Sequence, residues 1–255
     1  MEKIKRILVS QPKPDAGKNP YAELAEKHNL KIDFFKFFKV EGVSSREYRE
    51  SKIRILDHTA IVFTSKIAID HFFRICEETR TVVPDTMKYF CTSENIALYL
   101  QVYIVYRKRK IFFGQKTIED LIQMIQSKHS GGKILLCLSD SPQETISAAI
   151  EEAGIPYSQM ILYHTVSCEF NGNIEVNEAN YDVCTVFTPA GVKSIIDNYP
   201  DFVQNELKVA VFGESTKQAA EKAGLRVDIF APTPEAPSMS MALDHYISEF
   251  NKRKR

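Results

Sequence analysis

The sequence has no tryptophan and only five cysteines, and its 33 Lys and Arg are matched by 33 Asp and Glu. A molecule without net charge has no overall field with which to hold nucleic acid or an anionic membrane surface. Any preference for anions must then come from local groups. The cysteines (Cys76, Cys91, Cys137, Cys168 and Cys184) show no CxxC spacing. Several lie inside apolar runs such as Leu135-Leu136-Cys137-Leu138, so buried reduced thiols are expected. No apolar run approaches membrane-spanning length, and Ile7-Leu8-Val9 is broken at Gln11-Pro12, too soon for a secretory signal. A cytoplasmic protein is expected. The phosphate-loop, dinucleotide-binding, zinc-protease and serine-hydrolase motifs are missing too, and the six histidines are scattered singly.

What the chain does have is alternation. Short runs rich in β-branched and aromatic residues interleave with stretches of helical period, the pattern of an α/β protein with mostly parallel sheet flanked by helices. Strands are predicted over Arg6–Ser10, Ile32–Val40, Thr59–Thr64, Met87–Thr92, Ile104–Phe113, Lys133–Ser139, Met160–Cys168, Asp182–Thr188, Lys208–Gly213 and Arg226–Ala231. Two helices announce their starts: Pro20–His28 behind Asn19, and Pro142–Glu152 behind Ser141, where Ser141 and Glu144 fit a capping box.

The order of these elements repeats. The strand at Ile7 and the helix start at Pro20 return at Ile134 and Pro142. Val62-Phe63-Thr64-Ser65 returns as Val186-Phe187-Thr188-Pro189, and Phe90-Cys91-Thr92-Ser93-Glu94 as Phe212-Gly213-Glu214-Ser215-Thr216. Four anchors in one order imply an internal duplication with a period near half the chain. Between the copies lie two aromatic, strand-like crossovers, Phe34–Val40 and Met160–Val166, which could pair as a two-stranded β linker between two lobes.

Four strands end in small or hydroxyl-rich turns that open helices: Thr64-Ser65-Lys66, Thr92-Ser93, Thr188-Pro189-Ala190-Gly191 and Gly213-Glu214-Ser215-Thr216. The first amides of a helix lack intrahelical partners and sit at the positive end of its dipole, which suits carboxylate or phosphate. N-capping is the ordinary reading of any one such hydroxyl. Their number argues for more, because turns at the carboxyl ends of parallel strands gather along the sheet edge where open α/β folds bind ligands. A cleft between the lobes is the expected site. Glu94 would repel a carboxylate there if it faced the ligand.

In these residues the chain resembles the uroporphyrinogen-III synthase family. Ile7–Gln11 is similar to the family's first strand, Ile61–Lys66 and Cys184–Gly191 to its paired signatures, and Lys208–Thr216, running on to Gly224-Leu225 and Ala231-Pro232-Thr233-Pro234, to its most characteristic stretch. The resemblance implies one lobe from residues 1–36 and 170–255, a second from 47–159, and a linker from 37–46 and 160–169. It implies a cofactor-independent lyase that closes linear hydroxymethylbilane to uroporphyrinogen III, losing water and inverting the last pyrrole through a spiro intermediate. Such an enzyme works as a monomer on a small-molecule tetrapyrrole, without metal, nucleic acid or membrane. A non-catalytic two-lobed binder of a tetrapyrrole or other small anion would use the same features.

The family's cleft-facing tyrosine falls at Tyr163, a candidate acid, since a phenol is protonated at neutral pH and can donate. The expected substrate contacts are Thr64, Ser65, Lys66, Thr92, Ser93, Thr188, Pro189, Ala190, Gly191, Lys208, Gly213, Glu214, Ser215 and Thr216. His164, the phenylalanines of the first crossover and the basic runs Arg107–Lys110 and Lys252–Arg255 are expected to be solvated or structural.

Overall fold

The computed structural model describes residues 3–14, 19–115, 117–129, 131–141 and 144–252. Chain order is β1 (Arg6–Val9), α1 (Pro20–His28), β2 (Lys31–Phe34), β3 (Phe38–Gly42), α2 (Ser45–Glu50), β4 (Ala60–Phe63), α3 (Lys66–Glu78), β5 (Lys88–Cys91), α4 (Glu94–Tyr99), β6 (Ile111–Phe113) and α5 (Ile118–Lys128). It continues with β7 (Ile134–Ser139), α6 (Glu144–Glu152), β8 (Tyr157–Ser167), β9 (Val183–Val186), α7 (Pro189–Asn198), β10 (Lys208–Phe212), α8 (Glu214–Lys222), β11 (Ile229–Ala231) and α9 (Met239–Lys252).

The chain divides into two compact units. Unit 1 comprises Met1–Lys39 and Val166–Arg255, and unit 2 comprises Val40–Thr165. The chain crosses between them inside β3 and inside β8.

In unit 1 the sheet runs β11-β10-β9-β1-β2, every neighbouring pair parallel. Its central strands are buried on both faces, so they read as near-continuous apolar runs. Leu8 packs into one face with Phe37, Phe170, Val186 and Val211, while Ile7 and Val9 pack into the other with Leu24, Leu243 and Ile247. The period of two in a strand forces that split. Helix α9 buries Met239, Ala242, Leu243 and Ile247, one stripe at helical spacing.

In unit 2 the sheet runs β3-β8-β7-β4-β5-β6. Strands β4 to β8 are parallel, and β3 joins β8 in the opposite sense: Cys168 N–H donates to Phe37 C=O while Val43 N–H donates to Leu162 C=O. Ile61 and Phe63 face α3; Ala60 and Val62 face α5 and α6. Helix α3 buries Ala68, Ile69, Phe72, Ile75 and Cys76 against that face. At about 25 cal/mol per Å², burying a Phe or Ile side chain is worth about 1.5 to 3 kcal/mol, so these stripes fix where the helix begins.

Three expectations need correction. Ile32–Val40 is two strands, β2 and β3, with Phe35–Phe37 between them, where Phe37 is fully buried and both Phe35 and Phe37 pack on Phe170. Ile104–Phe113 holds strand only at β6: the Ile104 amide bonds back to Leu100, and the Lys110 and Ile111 amides bond to Arg107, so local turns take the groups a ladder would need. The basic run is therefore a loop, with Arg107 and Lys110 paired to Asp85 at 3.6 and 3.5 Å. Cys168 is only half-buried, whereas the other four thiols are buried and free. Pro142, with which the helix behind Ser141 was expected to open, and residues 253–255 of the basic tail lie outside the described residues.

Candidate functional site

Each hydroxyl-rich turn sits where a parallel strand hands over to a helix. In unit 2, β4 ends at Phe63 and Ser65 caps α3, its Oγ accepting from the Ala68 amide at 3.0 Å. The neighbouring β5 ends at Cys91, and Ser93 stands at the N-cap of α4 without a side-chain cap bond. In unit 1, Thr188 caps α7, its Oγ1 accepting from the Gly191 amide at 3.2 Å, with Pro189 in the first turn. Gly213 caps α8 from the left-handed region at φ 84°, again with no side-chain bond. Because β4 pairs with β5 and β9 with β10 in parallel, the two turns of each unit lie side by side at one sheet edge.

Cap positions also correct the expected correspondences. Ser65 answers to Thr188, one residue away from the Thr64 pairing, and Ser93 answers to Gly213, two residues away from the Cys91 pairing. Glu94 and Glu214 consequently hold the same first helical position, where a carboxylate favours the dipole.

Among the expected contacts, Thr64 and Thr92 meet: Thr92 Oγ1 donates to Thr64 C=O at 3.4 Å, and Thr64 Oγ1 donates to Cys137 C=O at 3.5 Å. Lys66 is exposed, its ammonium 5.2 Å from the centroid of the Tyr99 ring. Pro189, Glu214 and Ser215 are exposed, Ala190 is half-buried, and Gly191 is buried. A β-carbon on Gly191 would stand 2.8 Å from Val186 Cγ1, so the close approach of α7 to β9 requires glycine. Two residues do not join the turns. Thr216 is 1% exposed, turned into the core beneath α8. Lys208 opens β10 at the strand end opposite Gly213, beside Glu206 at 3.6 Å, and lines a cavity with Tyr181, Asp182 and Phe250.

Tyr163 lies within reach of the first turn. Its hydroxyl is 3.1 Å from Ser65 Oγ, and its ring is 7% exposed. A register break puts it there. In the β7–β8 ladder Leu138 pairs with Ile161, but Ser139 pairs with Tyr163, which leaves Leu162 as the extra residue of a bulge. Without the bulge Tyr163 would share the face of Ile161, which is 44% exposed. With it, Leu162 and Tyr163 both enter the core beneath α3.

Asp140, which follows β7, holds the main chain just after the tyrosine, on both sides of His164. Its amide donates to Tyr163 C=O at 3.0 Å, and its Oδ1 accepts from the Thr165 amide at 3.0 Å. Its Oδ2 lies 3.2 Å from Nδ1 of His164, whose Nε2 lies 3.3 Å from Glu47. Hydrogen bonds from the Ser44 amide and hydroxyl, with His164 adding its share, hold the Glu47 carboxyl below the usual range. Sequence reading missed Asp140 and Glu47, because the only signal was a single acidic side chain with no spacing motif around it.

Two parallel-dominated sheets flanked by helices, with paired strand-to-helix turns, make this an α/β protein of the uroporphyrinogen III synthase fold. The synthase of Thermus thermophilus, as a triple mutant, matches at a TM-score of 0.59 with 16% identity over 97% of this chain and 99% of its own. The synthetase of Helicobacter pylori matches at 0.58 with 13% identity over 96% and 100%. No curated protein matches by sequence. Residues 19–240 match the family described as uroporphyrinogen-III synthase HemD, and the chain belongs to that family, whose work is porphyrin and heme biosynthesis on a tetrapyrrole substrate. Among the described residues no helix is long and apolar enough to cross a membrane.

Proposed function

We propose that this chain closes linear hydroxymethylbilane to uroporphyrinogen III, with loss of water and inversion of the last pyrrole. The observation that carries the reading is the Tyr163 hydroxyl 3.1 Å from the cap serine of α3, a proton donor beside an anion-favouring turn. Loss of the terminal hydroxyl as water requires a proton at the departing oxygen. Tyr163 gives that proton as the carbon–oxygen bond breaks, and the electron pair of the adjoining pyrrole takes up the charge left on carbon. Ring closure later releases a proton from carbon, which returns to the phenolate, so the cycle consumes no oxidant or reductant. Ser65 is suited to the couple: its oxygen accepts from Ala68 N–H, and its own proton is free to stabilise the phenolate.

Because the bilane also closes unaided to the uninverted isomer, the enzyme's task is to dictate geometry. The substrate carries many carboxylates. Strand-to-helix turns such as those at Ser65 and Ser93 suit such groups, each contact worth about 0.3 to 1 kcal/mol. A positioned acid contributes about 10² to 10⁴ in rate, so Tyr163→Phe lowers uroporphyrinogen III formation by that order and leaves the fold intact. The test is purified protein given freshly made hydroxymethylbilane, with the isomers separated. Uninverted product alone, together with a Tyr163→Phe variant indistinguishable from the parent, would replace this reading by that of a tetrapyrrole-binding protein without catalysis.

A further inference from the structure

Beyond Ser65, Tyr163 meets one more titratable group. His71, in the second turn of α3, stacks on it with ring centroids 5.7 Å apart and planes 30° apart. Nδ1 of His71 accepts a hydrogen bond from the Nε–H of Arg74 at 3.2 Å. Because an arginine Nε can only donate, Nδ1 carries a lone pair, and the ring is the neutral tautomer with its proton on Nε2. Arg74 is itself anchored, donating to Val43 C=O at 2.5 Å and to Glu78 at 2.6 Å. At the same edge of the ring stands Gly42 of β3, where a β-carbon would lie 2.5 Å from His71 Nδ1 and 2.7 Å from an Arg74 Nη. The imidazole is thus held by an arginine, a glycine backbone and the phenol it covers.

We propose that His71 is a positioning residue for the reaction: clamped by Arg74 and Gly42, its neutral ring fixes the plane of Tyr163 and so the direction of the phenol hydroxyl. This rests on the reading of Tyr163 as the proton donor. The Ser65 contact holds the tyrosine only at its hydroxyl, whereas a flat partner on one face also sets the plane of the ring within the core. Small misplacements of a reacting group can cost about a hundredfold in rate. Protonation would undo the clamp, because Nδ1–H would face Nε–H, donor against donor, beside a guanidinium. The charges the imidazole senses are Arg74 and Asp70 on α3; β8 offers it the Tyr163 phenol and β3 the main chain at Gly42 and Val43. Burial first, then Arg74, lower the His71 pKa, with Asp70 opposing, so the neutral state persists below the usual imidazole range.

The experiment compares His71→Ala, His71→Phe, Gly42→Ala, Tyr163→Phe and the His71→Ala/Tyr163→Phe double variant in uroporphyrinogen III formation. Ring-labelled tyrosine is followed by NMR against pH in the same proteins. His71→Ala should lower kcat about tenfold to a hundredfold with KM little changed, and Gly42→Ala, which crowds the imidazole, should act in the same direction. His71→Phe keeps a ring on the phenol, so it should recover most of kcat and lose the acid-side inflection of the rate profile. In the Tyr163→Phe background His71→Ala should change the rate less than twofold, because a residue acting through Tyr163 has nothing left to act on. The parent's Tyr163 ring signals should inflect at a pH below about 6.5, and His71→Phe should abolish that inflection. Multiplicative effects of the two substitutions, or Tyr163 signals without an inflection in folded protein, overturn the proposal. A parent protein that forms no uroporphyrinogen III overturns the function proposed above instead, and the Tyr163 inflection then still decides whether His71 holds the ring.

Discussion

Unit 1 orders its strands β2-β1-β9-β10-β11, and unit 2 orders the strands in the matching places β8-β7-β4-β5-β6, with β3 added outside β8. The two differ at one joint. The β1–β2 ladder runs unbroken from Arg6 opposite Lys31 to Val9 opposite Phe34, whereas the β7–β8 ladder slips at Leu138 and Ser139. In unit 1 the last side chain of that strand, Phe34, packs edge-on against Tyr21 at 5.6 Å and serves the core. In unit 2 the slip turns Tyr163 beneath α3, against Ser65 and His71. One strand order thus supports two different edges, and a single extra residue decides whether the side chain at that edge meets only the core or also a cap serine.

The largest test of this contrast asks whether the units stand separately. Phe72→Ala in unit 2 and Phe170→Ala in unit 1 each remove a fully buried ring, at a cost of about 3 to 5 kcal/mol. Hydrogen exchange should lose protection in the substituted unit alone; equal losses in both would mean that they unfold as one body. A smaller effect separates the second pair of turns. Gly213→Ala places a side chain at φ 84° and should cost about 1 to 2 kcal/mol, while Ser93→Gly, at an extended φ of −152° and without a cap bond, should cost a few tenths. Denaturant midpoints would show it.

Removing the first caps should be nearly symmetrical in stability and unsymmetrical in chemistry. Ser65→Ala and Thr188→Ala each lose one cap bond, about 1 kcal/mol. Only Ser65→Ala should also shift the Tyr163 ring signals and slow turnover beyond what the cap explains. Identical kinetic behaviour of the two would remove the distinction drawn at the bulge.

Acid supplies the mildest test. His58, His71 and His129, all in unit 2, have pKa values lowered mainly by burial. Their unfolded value is about 6.5, so just below that pH the unfolded state binds more protons than the folded one. The stability of unit 2 should therefore be complete above about pH 6.5 and decline as pH falls through the folded values. In unit 1, Asp197 and Asp244 are opposed by burial yet held low by Lys193 with Ser167 and by Lys27 with His28. Their contribution should persist until about pH 4. Exchange measured at pH 5 would then weaken in unit 2 first, and the reverse order would contradict the burial of these rings.

Much of this was legible from residues alone. Short, fully apolar runs such as Ile134–Leu138 bounded by turn residues fit central parallel strands, and Pro20 behind Asn19 fits a helix start, so the α/β class and most strand positions followed from pattern. The turns at Ser65, Ser93, Thr188 and Gly213 were visible because capping chemistry is local. Correspondence between the turns was misread by one residue and by two, because identical letters align more readily than cap positions do. Lys208 was misplaced for a related reason: it is adjacent in sequence to a turn-bearing strand, yet it lies at that strand's other end. The Asp140 clamp, the His71 stack and the slip in β8 depend on ladder register and on contacts between elements, which no local pattern encodes.

The extra residue in β8 also changes how relatives of this chain should be compared. In a protein whose strand lacks it, the side chain opposite the residue matching Ser139 would be the one aligned with Leu162. A search for this tyrosine down a single alignment column would then land on the wrong face of the sheet. Position relative to the neighbouring strand, rather than ordinal number, is the coordinate along which this phenol can be followed.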